Sequence, residues 1–240
     1  NENKFIVYTS WMSPEMERLV ASNFCQGHLY IEEGQLNYLN AKPYSLSSDP
    51  GWGARKREIF KRNVNYFHRD DSGGYIGLSS NSFPMINEGS RFILKNYGSA
   101  QKLYKPKLLG KRHIGLMPAP HRIPFEHLSS ALELLVKNLP SDGVIKLHPG
   151  FSVHVKAKNH LISILEQRNY RHISVCPDDT LLELEMLAEA KTIFGTRSSC
   201  SIYANMFGST YKFVQFQGYD FGPIPTNSHF KKTTKPLNGI

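Results

Sequence analysis

Val144-Ile145-Lys146-Leu147-His148-Pro149-Gly150 is an apolar run that stops abruptly in a histidine, a proline and a glycine. Branched and apolar residues bounded by turn formers read as a short buried strand. Open α/β sheets bind their ligands just outside the carboxyl ends of such strands, which makes this terminal imidazole a candidate functional group. The proline keeps a helix from starting at the histidine and fixes the approach of its ring. Of the ten histidines in the chain, this is the one that stands between a strand and Pro-Gly.

On both sides of this strand the pattern alternates. His113-Ile114-Gly115-Leu116-Met117 is predicted to be a strand, and Phe125, Leu128, Leu132, Leu135, Val136 and Leu139 form one apolar helical face closed by Pro140. After the central strand come a helix carrying Leu161, Ile164 and Leu165, a strand at 173–175, and a helix carrying Leu182, Met186 and Leu187, for which Asp178 or Asp179 is the expected cap. A strand at 192–196, a helix over 199–207 ended by Gly208, and a strand at 212–216 complete the series. Strands alternating with helices through short loops imply an α/β fold with a parallel, doubly wound sheet.

Nearer the N-terminus, Phe5-Ile6-Val7-Tyr8, a helix opened by Ser13-Pro14, and Leu29-Tyr30-Ile31 show the same β-α-β rhythm. One helical segment is expected over 54–67 and one strand at 75–78. The stretch 96–111 turns basic and contains Pro106 and Gly110, so the chain is expected to divide into Rossmann-like lobes at 1–104 and 105–240.

Hydrophobic residues make up 40% of the 240 and no run of some 20 is apolar, so no membrane span is expected. Lys and Arg outnumber Asp and Glu by 29 to 20, gathering at Arg55-Lys56-Arg57, Lys61-Arg62, between Lys102 and Arg112, and at Lys231-Lys232. That balance favours polyanions, nucleotides or an anionic membrane surface. Three cysteines without CxxC or Cys/His spacing argue against a disulfide framework and a zinc site and fit a reducing compartment. Asn1-Glu2-Asn3-Lys4 has neither the charged nor the apolar region of a signal peptide.

Three places put polar groups at carboxyl ends of predicted strands: Glu32-Glu33-Gly34, Lys146-Leu147-His148-Pro149 and Arg197-Ser198-Ser199. Adjacent carboxylates repel, so an acidic pair before a glycine turn suits a general base tuned by its neighbour, although a solvated turn has the same letters. A strand-end histidine can act as an acid or bond a phosphate. Of four Ser-Ser pairs, Ser198-Ser199 alone follows a strand and precedes a helix, where hydroxyls and backbone N–H groups can meet an anion or merely cap the helix. The chain has no GxxxxGK[ST] loop, no GxGxxG after the first strand, no GxSxG and no HExxH. Asp70-Asp71, followed by Ser72-Gly73-Gly74, reads as a turn.

In this order the three motifs resemble those of the bacterial sialyltransferases of the two-Rossmann-domain (GT-B) type, which carry an acidic pair with glycine, then His-Pro, then a serine pair. About 30 residues precede the acidic motif here, where that family has several strands, so the N-terminal lobe is expected to be short or truncated. The resemblance implies transfer of sialic acid from CMP-sialic acid to a glycan hydroxyl, lipooligosaccharide or capsule-like, with inversion and without metal or other cofactor. It implies Glu32 as general base, with Glu33 the second candidate, and His148 as the group that protonates or hydrogen-bonds the departing phosphate. Ser198 and Ser199 would hold that phosphate and Glu183 the ribose, Lys146 would lie beside the cytidine pocket, and Pro149 would belong to the same CMP-donor site. A cytoplasmic bacterial enzyme of surface polysaccharide synthesis, in peripheral contact with the anionic inner face of the membrane and with no nucleic-acid partner, follows from the same likeness. A transferase of Kdo or of a polyol phosphate from a CMP- or CDP-linked donor shares the His-Pro logic, and a non-catalytic nucleotide- or glycan-binding domain shares the fold.

Overall fold

The computed structural model describes residues 3–38, 43–49, 51–55, 68–167, 170, 172–196 and 198–216. Lys56, Arg57, Lys61, Arg62, Arg197, Lys231, Lys232 and the expected helix beyond residue 55 lie outside the described residues. Two compact units form, Asn1–Tyr97 and Gly98–Ile240. Each carries a parallel sheet. Among the described residues no helix is long and apolar enough to cross a membrane.

In the first unit, β1 (Phe5–Thr9), β2 (Cys25–Ile31), β3 (Gly74–Gly77) and β4 (Arg91–Ile93) pair in the order β1-β2-β3-β4. The helix Pro14–Val20 starts as its sequence requires, with the Ser13 hydroxyl accepting the Met16 N–H at 3.3 Å and proline at the first helical position. Thr9, Tyr30 and Tyr75 stand in register across three strands and are buried. With Met12 and Phe83 two of these rings make an aromatic core, into which the His68 ring packs 4.3 Å from Tyr30. The opposite face carries Ile6, Tyr8, Ile31 and Phe92, all exposed. Strands that always step in one direction through right-handed crossovers place their connections on one face, which explains this asymmetry. The sheet contains no reversal of strand order.

The second unit differs in that respect. β5 (His113–Leu116), β6 (Val144–Lys146), β7 (Ser174–Val175), β8 (Thr192–Gly195) and β9 (Thr210–Phe213) pair in the order β7-β6-β5-β8-β9. The chain starts in the middle, steps outward one way for two strands, then returns to the other side of β5. This is the doubly wound arrangement, and its switch point lies between β5 and β8. On the helix Leu128–Asn138, Leu128, Ala131, Leu132, Leu135 and Val136 are buried at the three- and four-residue spacing that makes one apolar stripe. They meet Ala157, Leu161, Ile164 and Leu165 of the helix Val155–Gln167 in one core with Ile145, Phe151 and Phe194. Burying each of the large aliphatic side chains contributes roughly 1.5 to 3 kcal/mol.

The division between the units falls at 97/98, ahead of the expected 104/105, and a buried carboxylate explains the shift. Glu185 is fully buried and accepts the Tyr104 hydroxyl at 2.5 Å and the N–H groups of Lys107 and Leu108 at 2.7 and 3.0 Å. Gln101 also donates to the Leu187 carbonyl at 3.0 Å. The helix Gly98–Leu103 and the basic stretch after it are thereby held to the second unit. Another expectation also fails here. The helix Leu182–Ala188 follows Leu181 with no side-chain cap, while Asp178 pairs with Lys158 at 2.5 Å and Asp179 with Lys107. Lysines nearby compete for those carboxylates more effectively than backbone N–H groups do.

Candidate functional site

In the second unit the carboxyl ends of β6, β5 and β8 lie side by side, with β5 between the other two. At about 4.8 Å per strand, the ends of β6 and β8 are roughly 10 Å apart. His148 follows β6 and Ser198 and Ser199 follow β8. The Met117 N–H donates to the Lys146 carbonyl at 2.9 Å, extending the β5/β6 pairing and drawing 117–120 alongside 147–150. Pro120 packs so closely on Gly150 that a Cβ there would meet its Cδ at 3.2 Å. At the switch point itself Gly195 leaves no room for a side chain, since a Cβ would stand 2.8 Å from the Tyr211 hydroxyl and 3.0 Å from Leu116 Cβ.

The local bonding of His148 fixes its chemistry. Its Nδ1 accepts the Gly150 N–H at 3.0 Å, so in the neutral ring the proton sits on Nε2. Partial desolvation, followed by the electrostatic influence of His121, Arg122 and Lys146, holds its pKa below the ordinary histidine value. At neutral pH the exposed ring is therefore a neutral hydrogen-bond donor. Pro149, also exposed, opens the turn Pro149–Ser152 and directs the ring outward from Phe151, which is buried.

Lys146 reaches from the end of β6 to the loop that follows β7. Its ammonium donates to the carbonyls of Asp178 at 2.9 Å and Pro177 at 3.4 Å, and the side chain is buried. It braces the loop after β7 and contributes a fixed charge. Ser198 accepts the Cys200 N–H on its hydroxyl at 3.2 Å, and its carbonyl accepts from Ser201. Ser199 precedes the helix Cys200–Met206 without a side-chain cap bond. The Cys200 thiol, buried and held well above the ordinary thiol pKa by that burial, donates to the half-buried Glu183 carboxylate at 3.6 Å. Glu183 and the serine pair thus share one corner. His148 occupies the neighbouring strand end.

Glu32 and Glu33 belong to the first unit, at the carboxyl end of β2. Glu32 is buried and its oxygens are heavily committed: Oε1 accepts the Tyr38 hydroxyl at 2.6 Å, and Oε2 accepts the Leu78 N–H at 2.6 Å and the Ser82 hydroxyl at 2.5 Å. Gly77, the last residue of β3, is small because Ser82 needs its space; a Cβ there would lie 2.6 Å from Ser82 Cβ. Glu33 is exposed, and the Asn37 carboxamide oxygen takes the N–H groups of Glu33 and Gly34 at 2.9 and 3.0 Å. The acidic motif is therefore a built turn, with one carboxylate locked inward and one outward.

His121 and Arg122 carry no sequence pattern and were not expected at the site. The signal that finds them is positional: they follow the first strand of a doubly wound sheet, whose loop must line the switch point. No family model, curated protein or solved structure matches the chain.

Proposed function

We propose that the protein is an inverting glycosyltransferase moving sialic acid from CMP-sialic acid to a glycan hydroxyl, with the donor held by the second unit. The observation that supports this reading is His148: a neutral imidazole with its N–H on Nε2, at the end of β6, the strand next to β5, and under the electrostatic influence of Arg122 and Lys146. Such a group stabilises a departing phosphate by donating a hydrogen bond where negative charge develops. The hydroxyls of Ser198 and Ser199, on the other side of β5, complete the phosphate contacts, and Glu183 takes the ribose. Glu32 is the proposed base that takes the acceptor proton, and Glu33, the exposed carboxylate of the pair, is the competing one.

Incubation with CMP-sialic acid and a panel of galactosides tests this, with release of CMP as readout and CMP-Kdo run in parallel. The reading expects acceptor-dependent release from CMP-sialic acid. Release from CMP-Kdo alone transfers the reading to that donor, and release no faster than in buffer from either refutes it. A thermal-shift series separates donor binding from turnover: CMP should raise the melting temperature more than UMP or ADP.

A further inference from the structure

Both tryptophans of the chain stand in the first unit, and the chemistry of Glu32 and Glu33 uses neither. We propose that Trp11 and Trp52 form a carbohydrate platform, on which the apolar face of a neutral pyranoside stacks. That this sugar is the acceptor rests on the transferase reading.

The platform lies at the same end of the sheet as the acidic turn. Trp11 comes two residues after β1, and β1 pairs with β2, which ends at Glu32 and Glu33. Neighbouring strands are roughly 5 Å apart, a separation one sugar ring spans. The two strand-end turns are also joined. His68 Nε2 stands 3.2 Å from the Ser10 carbonyl and 3.5 Å from the Asn37 carboxamide nitrogen, and the oxygen of that carboxamide takes the N–H groups of Glu33 and Gly34. Thr9 clamps Trp11 to the end of β1, its hydroxyl donating to the Trp11 carbonyl at 2.7 Å and accepting the Trp11 N–H at 3.3 Å.

Trp52 is mounted on a buried arginine. The Arg55 guanidinium lies 5.5 Å from the centroid of the Trp52 ring and 4.9 Å from that of Tyr44. It donates to the Tyr44 hydroxyl at 2.6 Å and to the Met12 carbonyl at 3.4 Å, next to Trp11, and pairs with Glu17 and, at 3.1 Å, with Asp49. Its charge is thus matched inside the fold, and what it supplies to the surface is rigidity. The two indoles meet at 54° with centroids 6.0 Å apart, Trp11 41% exposed and Trp52 partly so. Rings held open to solvent by buried bonding are preorganised for a ligand. C–H groups made slightly positive by adjacent oxygens are drawn to the negative face of an indole, and a pyranoside offers a row of them on one face with hydroxyls at its rim. A tilted pair gives that ring a floor and a side wall, whereas a flat base fits best between parallel rings.

The test is saturation-transfer NMR on the full chain with methyl β-galactopyranoside, methyl β-glucopyranoside and cytidine as separate probes. Transfer should be strongest at the ring C–H protons of one face of a pyranoside and weakest at its methyl group. Trp11→Ala should weaken pyranoside binding about tenfold or more, as loss of a central tryptophan contact does, and Trp11→Phe should keep part of it, which separates stacking from loss of the fold. Binding of either pyranoside with this pattern supports the platform. Transfer to cytidine alone, abolished in Trp11→Ala, overturns it in favour of base stacking. Pyranoside transfer that is equal in the parent and Trp11→Ala also overturns it. If neither pyranoside binds while CMP still raises the melting temperature, the platform falls and the transferase reading stands. If a pyranoside binds through Trp11 but neither CMP-sialic acid nor CMP-Kdo is turned over, the platform stands and its role as acceptor subsite falls with that reading.

Discussion

Replacing Glu32 by glutamine should destabilise the first unit before it tells anything about catalysis. The carboxylate accepts three hydrogen bonds, each between 2.5 and 2.6 Å, in a site from which water is largely excluded. Hydrogen bonds to a charged group contribute about 1.5 to 3 kcal/mol and neutral ones about 1 kcal/mol, so loss of the charge removes about 1 kcal/mol from each. One contact can adapt: the Tyr38 hydroxyl can turn and accept from the new amide. The sum is about 2 to 3 kcal/mol for Glu32→Gln, and about 5 kcal/mol for Glu32→Ala, which leaves the Leu78 N–H and two hydroxyls without their acceptor. The two tryptophans of the chain, Trp11 and Trp52, both lie in this unit with ring centroids 6.0 Å apart, so their fluorescence reports its unfolding selectively. In urea the midpoint should fall by about 1 to 2 M for Glu32→Gln. A shift below about 0.3 M would refute the bonding scheme. Transfer by this variant is then compared with Glu33→Gln well below both midpoints, and the base is the residue whose change abolishes turnover while the unit remains folded.

Acid should weaken the same unit through His68. Burial lowers its pKa to about 4, so the folded state binds fewer protons than the unfolded chain; stability is complete above the unfolded value near 6.5 and is lost as pH falls toward 4. Between about pH 7.5 and about pH 4.5 this amounts to about 2.5 kcal/mol, and urea titrations of His68→Gln should show a correspondingly shallower pH dependence. In the second unit Gly195→Ala should cost about 1 to 3 kcal/mol, because the added methyl meets Tyr211 and Leu116; a thermal midpoint equal to the parent's would contradict the packing at the switch point. Leu132→Ala, a cavity in the middle of the helix core, should cost about 2 to 5 kcal/mol by chemical denaturation. Glu185→Gln should loosen residues 98–110 from the second unit, seen as faster amide exchange at Lys107 and Leu108.

What could be read from the letters follows from how local each cause is. β5, β6 and β8 were legible because their residues are branched or apolar and end in Gly, Pro or a polar turn, a property of four or five neighbours. The helix Leu128–Asn138 was legible for the same reason at a longer period. β4 was not, since Arg91-Phe92-Ile93 is only three residues long and leaves Phe92 exposed. The partners of Glu185 lie some 80 positions away along the chain, and nothing within its own helix distinguishes it from a surface glutamate. The strand-end position of His148 was visible, whereas its tautomer depends on the Gly150 N–H and its charge state on a turn from another strand. Of the acidic pair, the sequence shows two equivalent carboxylates; the packing of Ser82 against Gly77 makes them unequal.

The lowered pKa of His148 also decides how it can assist departure of the phosphate. A general acid works best when its pKa lies near the operating pH, and above that pKa its protonated fraction falls tenfold per unit. His148 is moved the other way, by desolvation first and then by the influence of His121, Arg122 and Lys146, so near neutral pH the ring is chiefly neutral and offers its Nε2–H for hydrogen bonding. A nucleoside monophosphate leaving group needs no more, because its second pKa is about 6 and it departs as a stable dianion near pH 7. On the proposed reading, kcat should therefore stay level from about pH 7 to about pH 8.5. His148→Gln, whose amide N–H can reach a place near that of Nε2, should retain a measurable part of the rate, while His148→Ala should lose roughly 100-fold or more, as removal of a single donor to a developing anion does. A profile that drops tenfold per unit across that range, together with a glutamine variant no better than alanine, would show that a proton is transferred and that the neighbours of His148 act differently from their placement around β5 and β6.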